Sequence, residues 1–194
     1  MRLFVALDID DAIQQRLDDY VRTLQPRLPG VRFVRSNTYH VTLKFLGEVP
    51  HADAVRARLN EVRAANFQIH VGGVGFFPNA HSPRVFWVGV NTPPNAPPAL
   101  ATLARSVDQA LEVLGFAPER DYHPHLTLAR NGSGRPGRLR REPTPGGFTQ
   151  LPGIVASAPA PEFGTMTARE FFLYESRLSP TGASYHKLDA FPLA

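Results

Sequence analysis

The chain carries one four-residue pattern twice, as His40-Val41-Thr42-Leu43 and again as His125-Leu126-Thr127-Leu128. Side chains alternate between the two faces of a β-strand, so residues two apart point the same way. Each pattern therefore predicts a strand with its histidine and threonine on one face and its aliphatic residues in a core. If both strands face one cleft, that cleft holds two imidazoles and two hydroxyls. This set suits metal-free acid–base chemistry on a phosphate ester.

The sequence before each pattern is also similar in the two halves. Residues 3–9 predict a strand that is followed by an amphipathic helix and then by Gly30. Residues 84–90 predict a second strand, and a helix with its apolar stripe in residues 100–114 then ends at Gly115, a typical helix-terminating glycine. The two glycines precede their motif histidines at the same spacing. This shared order predicts two related lobes, because a chance repeat would not carry the same preceding elements.

Local patterns predict the remaining elements. A helix begins near His51, and further strands cover residues 33–35, 67–74, 170–178 and 184–191, of which the last two form a hairpin. The segment from Arg130 to Gly147 is rich in glycine, proline and arginine and predicts a loop. A short helix over residues 150–157 is weakened by Pro152-Gly153.

Composition narrows the class of protein. Of the 194 residues, 43% are hydrophobic and 20% are charged, which is typical of a soluble, folded chain. The absence of cysteine excludes disulfides and thiolate metal sites and fits a cytoplasmic location. The N-terminus lacks the pattern of a signal peptide, and no apolar stretch approaches the roughly 18 residues that cross a membrane. The net charge of +4 favours polyanionic partners such as nucleic acids.

Four segments carry a family resemblance, and they follow one another along nearly the whole chain. They are residues 1–7 (MRLFVAL), 40–47 (HVTLKFLG), 124–130 (PHLTLAR) and 173–178 (LYESRL). With its paired motifs the chain resembles the 2H phosphoesterase superfamily. Within it, the chain looks like the LigT-like RNA 2′,3′-cyclic phosphodiesterases, also called the 2′-5′ RNA ligase family.

The resemblance implies a fold and a reaction. The fold is α+β, a bilobal, pseudo-twofold domain over residues 1–194 in which two antiparallel sheets line a central cleft and helices lie outside. The family's roles make His40 the proton donor and His125 the proton acceptor, while Thr42, Thr127 and Arg130 bind the phosphate. The implied reaction converts 2′,3′-cyclic phosphate ends of RNA to 2′-phosphomonoesters without a metal or other cofactor. The expected enzyme is a monomer.

Several alternatives stay open at this level. The same fold can support 2′-5′ RNA ligation, hydrolysis of a small cyclic nucleotide, or RNA binding without catalysis. Arg130 can equally form a surface salt bridge, and the arginines between residues 135 and 141 can track RNA or lie in a solvated loop. Aromatic residues can stack a nucleobase, but for each of them we expect a place in the core. These aromatic residues are Phe4, Phe45 and Trp87.

The remaining histidines have no matched partner. His123 lies two residues before His125, but its neighbours Tyr122 and Pro124 favour a loop or strand-edge role. We expect the others to be structural or exposed. They are His51, His70, His81 and His186.

Overall fold

A computed structural model describes residues 1–119, 121–131, 147–179 and 182–194. Within these ranges the chain forms eight strands, four α-helices and two short 3₁₀ turns. In chain order the strands and α-helices are β1 (Arg2–Leu7), α1 (Asp11–Leu24), β2 (Val41–Glu48), α2 (Asp53–Leu59), β3 (Phe67–Phe77), β4 (Val85–Asn91), α3 (Ala99–Glu112), β5 (His125–Arg130), α4 (Gly147–Ala156), β6 (Glu162–Ala168), β7 (Glu170–Ser179) and β8 (Gly182–Pro192).

The strands form two four-stranded antiparallel sheets. Their orders are β2-β1-β7-β8 and β5-β4-β3-β6. Each sheet therefore has one motif strand, β2 or β5, at its edge, beside the strand that begins the same half of the sequence. This confirms the predicted α+β fold with two antiparallel sheets.

The halves of the sequence exchange elements in space. Strand β3 precedes β4 in the chain and joins the second sheet, whereas the C-terminal hairpin of β7 and β8 completes the first. The helices cross over as well, since α1 packs against β6 and α3 packs against β2. Apolar side chains from both sheets and from all four α-helices form one continuous buried cluster. The apolar stripes of α1 and α3 supply much of it, namely Ile13, Leu17, Val21, Leu24, Leu100, Leu103, Val107 and Leu111.

Two glycines mark equivalent turns in the halves. Gly30 and Gly115 have φ angles of +86° and +87°, a left-handed conformation that costs a residue with a Cβ atom about 1 kcal/mol or more. A Cβ at either position would meet nothing within 4 Å, so the backbone conformation alone selects glycine. The matching angles agree with the predicted equivalence of the two positions.

The structure differs from the sequence expectations at several elements. The predicted strand at residues 33–35 is wrong: Phe33 makes an isolated bridge to Ala129, because the chain turns at once into the 3₁₀ turn Ser36–Thr38. Strand β6 was not predicted. Helix α4 begins earlier than expected and accommodates Pro152 in its interior. The loop predicted from Arg130 to Gly147 is wrong at both ends, since Arg130 ends β5 and Gly147 begins α4. Residues 132–146 lie outside the described residues, as does the tip of the final hairpin.

Candidate active site

The structure brings both motifs to one cavity. His40 and Thr42 line it from the first sheet, and His125, Thr127 and Arg130 line it from the second. The aliphatic motif residues are fully buried on the opposite faces of their strands, as expected. These are Val41, Leu43, Leu126 and Leu128.

The two imidazoles are held in the same way. His40 Nδ1 lies 2.7 Å from the carbonyl oxygen of Thr38, and His125 Nδ1 lies 2.6 Å from that of His123. Because a carbonyl oxygen only accepts, Nδ1 of each ring carries the hydrogen. In the neutral rings Nε2 is therefore the nitrogen with the free lone pair, and it is the nitrogen that gains or loses a proton.

Local structure fixes each carbonyl acceptor. Thr38 ends the 3₁₀ turn Ser36–Thr38, in which its amide donates to the Arg35 carbonyl at 2.9 Å. The carbonyl of Pro124, beside His123, accepts from the amide of Val90 on β4 at 3.2 Å. Each ring is thus oriented by backbone that is itself hydrogen-bonded.

A β-bulge lies at the last residue of each motif. In β2 the register against β1 shifts between the pairs Val5–Lys44 and Ala6–Thr42, which leaves Leu43 without a partner. In β5 the register against β4 shifts in the same way and leaves Leu128 without a partner. A bulge adds one residue to a strand and reverses the alternation of the side chains beyond it. The third and fourth residues after each motif histidine are accordingly both buried.

The bulges turn one further residue of each strand into the cavity. Phe45 and Arg130 follow the two bulges, and both line the cavity. By strict alternation Phe45 would share the core face with Leu43, so its expected core position is wrong, and its ring is 62% exposed. The expected core position is confirmed for Phe4, which is buried, whereas Trp87 is half-buried.

Arg130 extends over the second motif. Its guanidinium Nη2 donates to Thr127 Oγ1 at 3.3 Å. Since this bond uses a lone pair of the hydroxyl, the hydroxyl hydrogen of Thr127 remains able to donate to a ligand. Within the described residues no carboxylate forms a salt bridge with Arg130, so nothing there supports the salt-bridge alternative.

Aromatic rings pack around both histidines. Phe4 lies 4.8 Å from the ring of His40, and Tyr185 of β8 meets His40 edge-on at 5.1 Å. On the other side, Phe77 meets His125 edge-on at 5.0 Å, and Trp87 lies 6.3 Å away. Tyr185 also lines the cavity, and nothing in the motif pattern pointed to it, because β8 lies far away in the sequence.

Burial lowers the pKa of both motif histidines below the ordinary value of 6.5. The hydrogen bonds to the backbone carbonyls raise each pKa and oppose part of this effect, while the positive charge of Arg130 lowers both. The environments then differ: Asp8 raises the pKa of His40, whereas His123 lowers that of His125. Both rings are therefore biased towards the neutral form in the absence of an anion.

The other candidate residues lie apart from this cavity. His123 is in the loop before β5, as expected, and Nε2 of His70 lies 2.6 Å from a carboxylate oxygen of Glu162. The remaining histidines are exposed, namely His51, His81 and His186. The arginines between residues 135 and 141 lie outside the described residues.

Two other kinds of site are absent from the described parts of the chain. No group of three or more histidine, cysteine, aspartate or glutamate side chains there is placed to hold a metal ion. No helix there is long and apolar enough to cross a membrane.

The paired motifs on two equivalent edge strands define a phosphoesterase class, and the family comparison agrees. The family model "LigT like Phosphoesterase" matches residues 7–87 and 90–185. The chain belongs to the LigT-like phosphoesterase family.

Similar proteins match over their whole length. A protein of Archaeoglobus fulgidus named RNA 2′,3′-cyclic phosphodiesterase is 38% identical, with 98% of this chain and 99% of that protein covered. One of the same name from Methanothermobacter thermautotrophicus is 33% identical, with 100% and 99% covered.

Solved structures share the fold across the chain. A crystal structure of a protein from Thermus thermophilus has a TM-score of 0.76 at 28% identity, with 100% of this chain and 98% of that chain covered. The crystal structure of E. coli LigT complexed with 3′-AMP has a TM-score of 0.74 at 25% identity, with 99% and 97% covered.

Proposed function

We propose that the protein hydrolyses RNA 2′,3′-cyclic phosphate ends to 2′-phosphomonoesters without a metal ion. The observation that carries this proposal is the placement of two imidazoles in one cavity, each with Nδ1 bound to a backbone carbonyl and Nε2 left to exchange protons. Relatives of full length that are named RNA 2′,3′-cyclic phosphodiesterase support the substrate class.

The phosphate of the substrate lies between the two motifs in this proposal. Hydroxyl donors of Thr42 and Thr127 bind its non-bridging oxygens, and the guanidinium of Arg130 compensates the negative charge that develops there. These groups supply the charge stabilisation that a metal ion gives in other phosphoesterases.

The histidines move the two protons. Neutral His125 accepts a proton from a water molecule as the water oxygen bonds to phosphorus. The bond from phosphorus to the ribose 3′-oxygen breaks, and protonated His40 donates its proton to that oxygen. The product keeps the phosphate on the 2′-oxygen, and the next turnover begins when the two imidazoles have exchanged a proton with solvent.

The charges around the histidines support this assignment. The carboxylate of Asp8 raises the pKa of His40 and so favours its protonated form, while His123 lowers the pKa of His125 and favours its neutral form. Arg130 lowers both pKa values and does not distinguish the two rings. The bound phosphate is an anion and stabilises an imidazolium beside it, so one ring is protonated when substrate is present.

Phe45 forms the binding surface for the terminal base in this proposal. Its ring is exposed beside Thr42, and it packs at 6.1 Å against Phe4, which in turn stacks on Tyr174 at 5.1 Å. A stacking surface of this kind accepts any base, because every base has a π-face. We therefore propose low selectivity for the identity of the terminal base.

The alternatives make different predictions. Ligation to a 2′-5′ linkage uses the same groups in the same roles, but the nucleophile is the 5′-hydroxyl of a second RNA end in place of water. A small cyclic nucleotide would be hydrolysed without a contribution from upstream nucleotides. A binding module without catalysis has no need of two imidazoles oriented through Nδ1.

The test is incubation with an oligonucleotide that ends in a 2′,3′-cyclic phosphate, in the presence of EDTA. We expect a 2′-phosphate product, identified by its resistance to an enzyme specific for 3′-phosphates. Absence of turnover, or turnover that requires an added metal ion, would contradict the proposal. A parallel reaction with a mononucleoside cyclic phosphate and one with a 5′-hydroxyl acceptor decide between the alternatives.

The proposal extends to the domain organisation, the oligomeric state and the location of the protein. Both sheets share one buried cluster and both line one cavity, so we propose that residues 1–194 act as one domain. We further propose that this domain acts as a monomer. Sedimentation at the concentration of the assay tests this. A cytoplasmic location, where RNA is processed, completes the proposal.

A further inference from the structure

Lys44 is a buried charged residue that the proposed reaction does not use. It follows Leu43 in the bulge of β2, and its side chain is 3% exposed. Its ammonium group donates to the carboxylate of Asp108 and, at 2.7 Å, to the carbonyl oxygen of Ala117. Without the bulge, Lys44 would share the cavity face with Thr42, so the bulge that turns Phe45 outward also turns Lys44 inward.

Asp108 connects this lysine to the second half of the chain. It lies on α3, and its other carboxylate oxygen accepts the amide hydrogen of Glu119 at 3.1 Å. The segment with Ala117 and Glu119 leads through the loop before β5 to His125. The ion pair therefore joins three parts: the strand of the first motif, a helix of the second half, and the start of the segment that presents the second motif.

The energetics of a buried ion pair favour a role in positioning the backbone over a role in stability. Removing two charges from water costs several kcal/mol for each ion, so replacing such a pair by apolar residues of similar volume is often neutral or stabilising. Stability is thus a weak reason for charges at this place. Their hydrogen bonds have preferred directions, however, and they link β2, α3 and the backbone at Ala117 and Glu119 in one arrangement.

We propose that Lys44 and Asp108 are positioning residues, which fix the bulge at the end of the first motif and the spacing between the two motif histidines. Neither residue lines the cavity, so both act through the backbone that carries His40 and His125. A displacement of about 1 Å in a catalytic group can lower a rate about 100-fold. The kinetic part of this inference rests on the proposed function, whereas the structural part does not.

The structural test is amide hydrogen exchange in the double variant Lys44→Met/Asp108→Leu, which keeps the side-chain volumes similar. We expect faster exchange in β2 and β5 and unchanged exchange in α1. The control is Arg56→Met/Asp189→Leu, which removes a partly exposed ion pair between α2 and β8, two elements outside the motif strands. Unchanged exchange in both motif strands of the first variant would overturn the proposal, whatever the activity of the wild type.

The kinetic test separates positioning from loss of fold. Measured well below the unfolding temperature, the Lys44→Met/Asp108→Leu variant should lose about 10- to 100-fold in kcat, with KM within about threefold of the wild type, because Arg130 and Phe45 are intact. The control should keep the wild-type kcat. A variant kcat within about twofold of the wild type would overturn the proposal while leaving the proposed function intact.

A second variant covers the case in which the double variant does not fold. Asp108→Asn keeps the shape of the side chain and one acceptor oxygen but removes the charge, and we expect the same selective loss of kcat. A folded Asp108→Asn protein with the kcat of the wild type would overturn the proposal. A wild type without turnover would contradict the proposed function, and hydrogen exchange would then decide the positioning role alone.

Discussion

Phe45 and Arg130 occupy equivalent positions in the two motif strands, and an equivalent bulge in each strand turns the residue into the cavity. The equivalence is geometric and not chemical, because one residue is an aromatic ring and the other a cation. The two motif strands thus place their histidines and their threonines in equivalent positions. They differ only in the third residue that each contributes to the cavity, which is Phe45 in one strand and Arg130 in the other. In our proposal this difference gives the substrate one orientation, with its base over Phe45 and its phosphate towards Arg130.

Phe45→Ala tests the proposed base-binding surface. Stacking of one base on an aromatic side chain contributes about 1–3 kcal/mol, so we expect KM for the oligonucleotide to rise by about tenfold, with little change in kcat. Val113→Ala is the control, since Val113 is also an exposed apolar residue, 65% exposed, and does not line the cavity. An unchanged KM for Phe45→Ala would contradict the stacking role.

Arg130→Gln tests the proposed phosphate contact. A hydrogen bond to a charged group contributes about 1.5–3 kcal/mol, so we expect kcat/KM to fall by about 10- to 100-fold. Arg105→Gln, which changes an exposed arginine of α3, should leave kcat/KM unchanged. If the two variants behave alike, Arg130 does not contact the phosphate.

The pH profile of kcat/KM reports the free enzyme. One imidazole must be protonated and the other neutral, and burial lowers the pKa of both below 6.5. Activity should therefore fall on the acidic side when the acceptor is protonated and on the alkaline side when the donor is deprotonated, with the maximum below pH 6.5. Arg130 lowers both pKa values, so Arg130→Gln should move both limbs to higher pH. A maximum above about pH 7 in the wild type would contradict this account.

Gly75→Ala tests the support behind His125. A Cβ at Gly75 would overlap the indole of Trp87, which packs near His125. We expect the displaced indole to lower the free energy of unfolding by about 1–3 kcal/mol and to reduce kcat. Thermal unfolding and kinetics check both effects.

Gly153→Ala is the matched control for that substitution. A Cβ at Gly153 meets nothing within 4 Å, and the residue lies inside α4. Alanine there should raise the free energy of unfolding by up to about 1 kcal/mol without changing kcat. Equal effects of the two substitutions would show that Trp87 does not support His125.

The sequence predicted the parts of the site that depend on local pattern. Alternation placed His40 with Thr42 and His125 with Thr127, and the repeated glycine identified the two positions as equivalent. The aliphatic motif residues were correctly assigned to the core.

Alternation failed beyond Leu43 and Leu128, because a bulge depends on pairing with a neighbouring strand. Phe45 was therefore expected in the core. The contribution of Tyr185 could not be predicted either, since it requires β8 to pair in the sheet of the first motif. The Lys44–Asp108 pair depends on α3 crossing to that same sheet, which no local pattern encodes.

The central claim is that His40 and His125 act together on one phosphate, and kinetics of the single and double alanine variants test it most directly. Each single variant should lose about 10²- to 10⁴-fold in kcat. Because the two groups act as one unit, the variant with both substitutions should lose little more than the weaker single variant. Full turnover by either single variant, or a loss in the double variant equal to the product of the two single losses, would contradict the account.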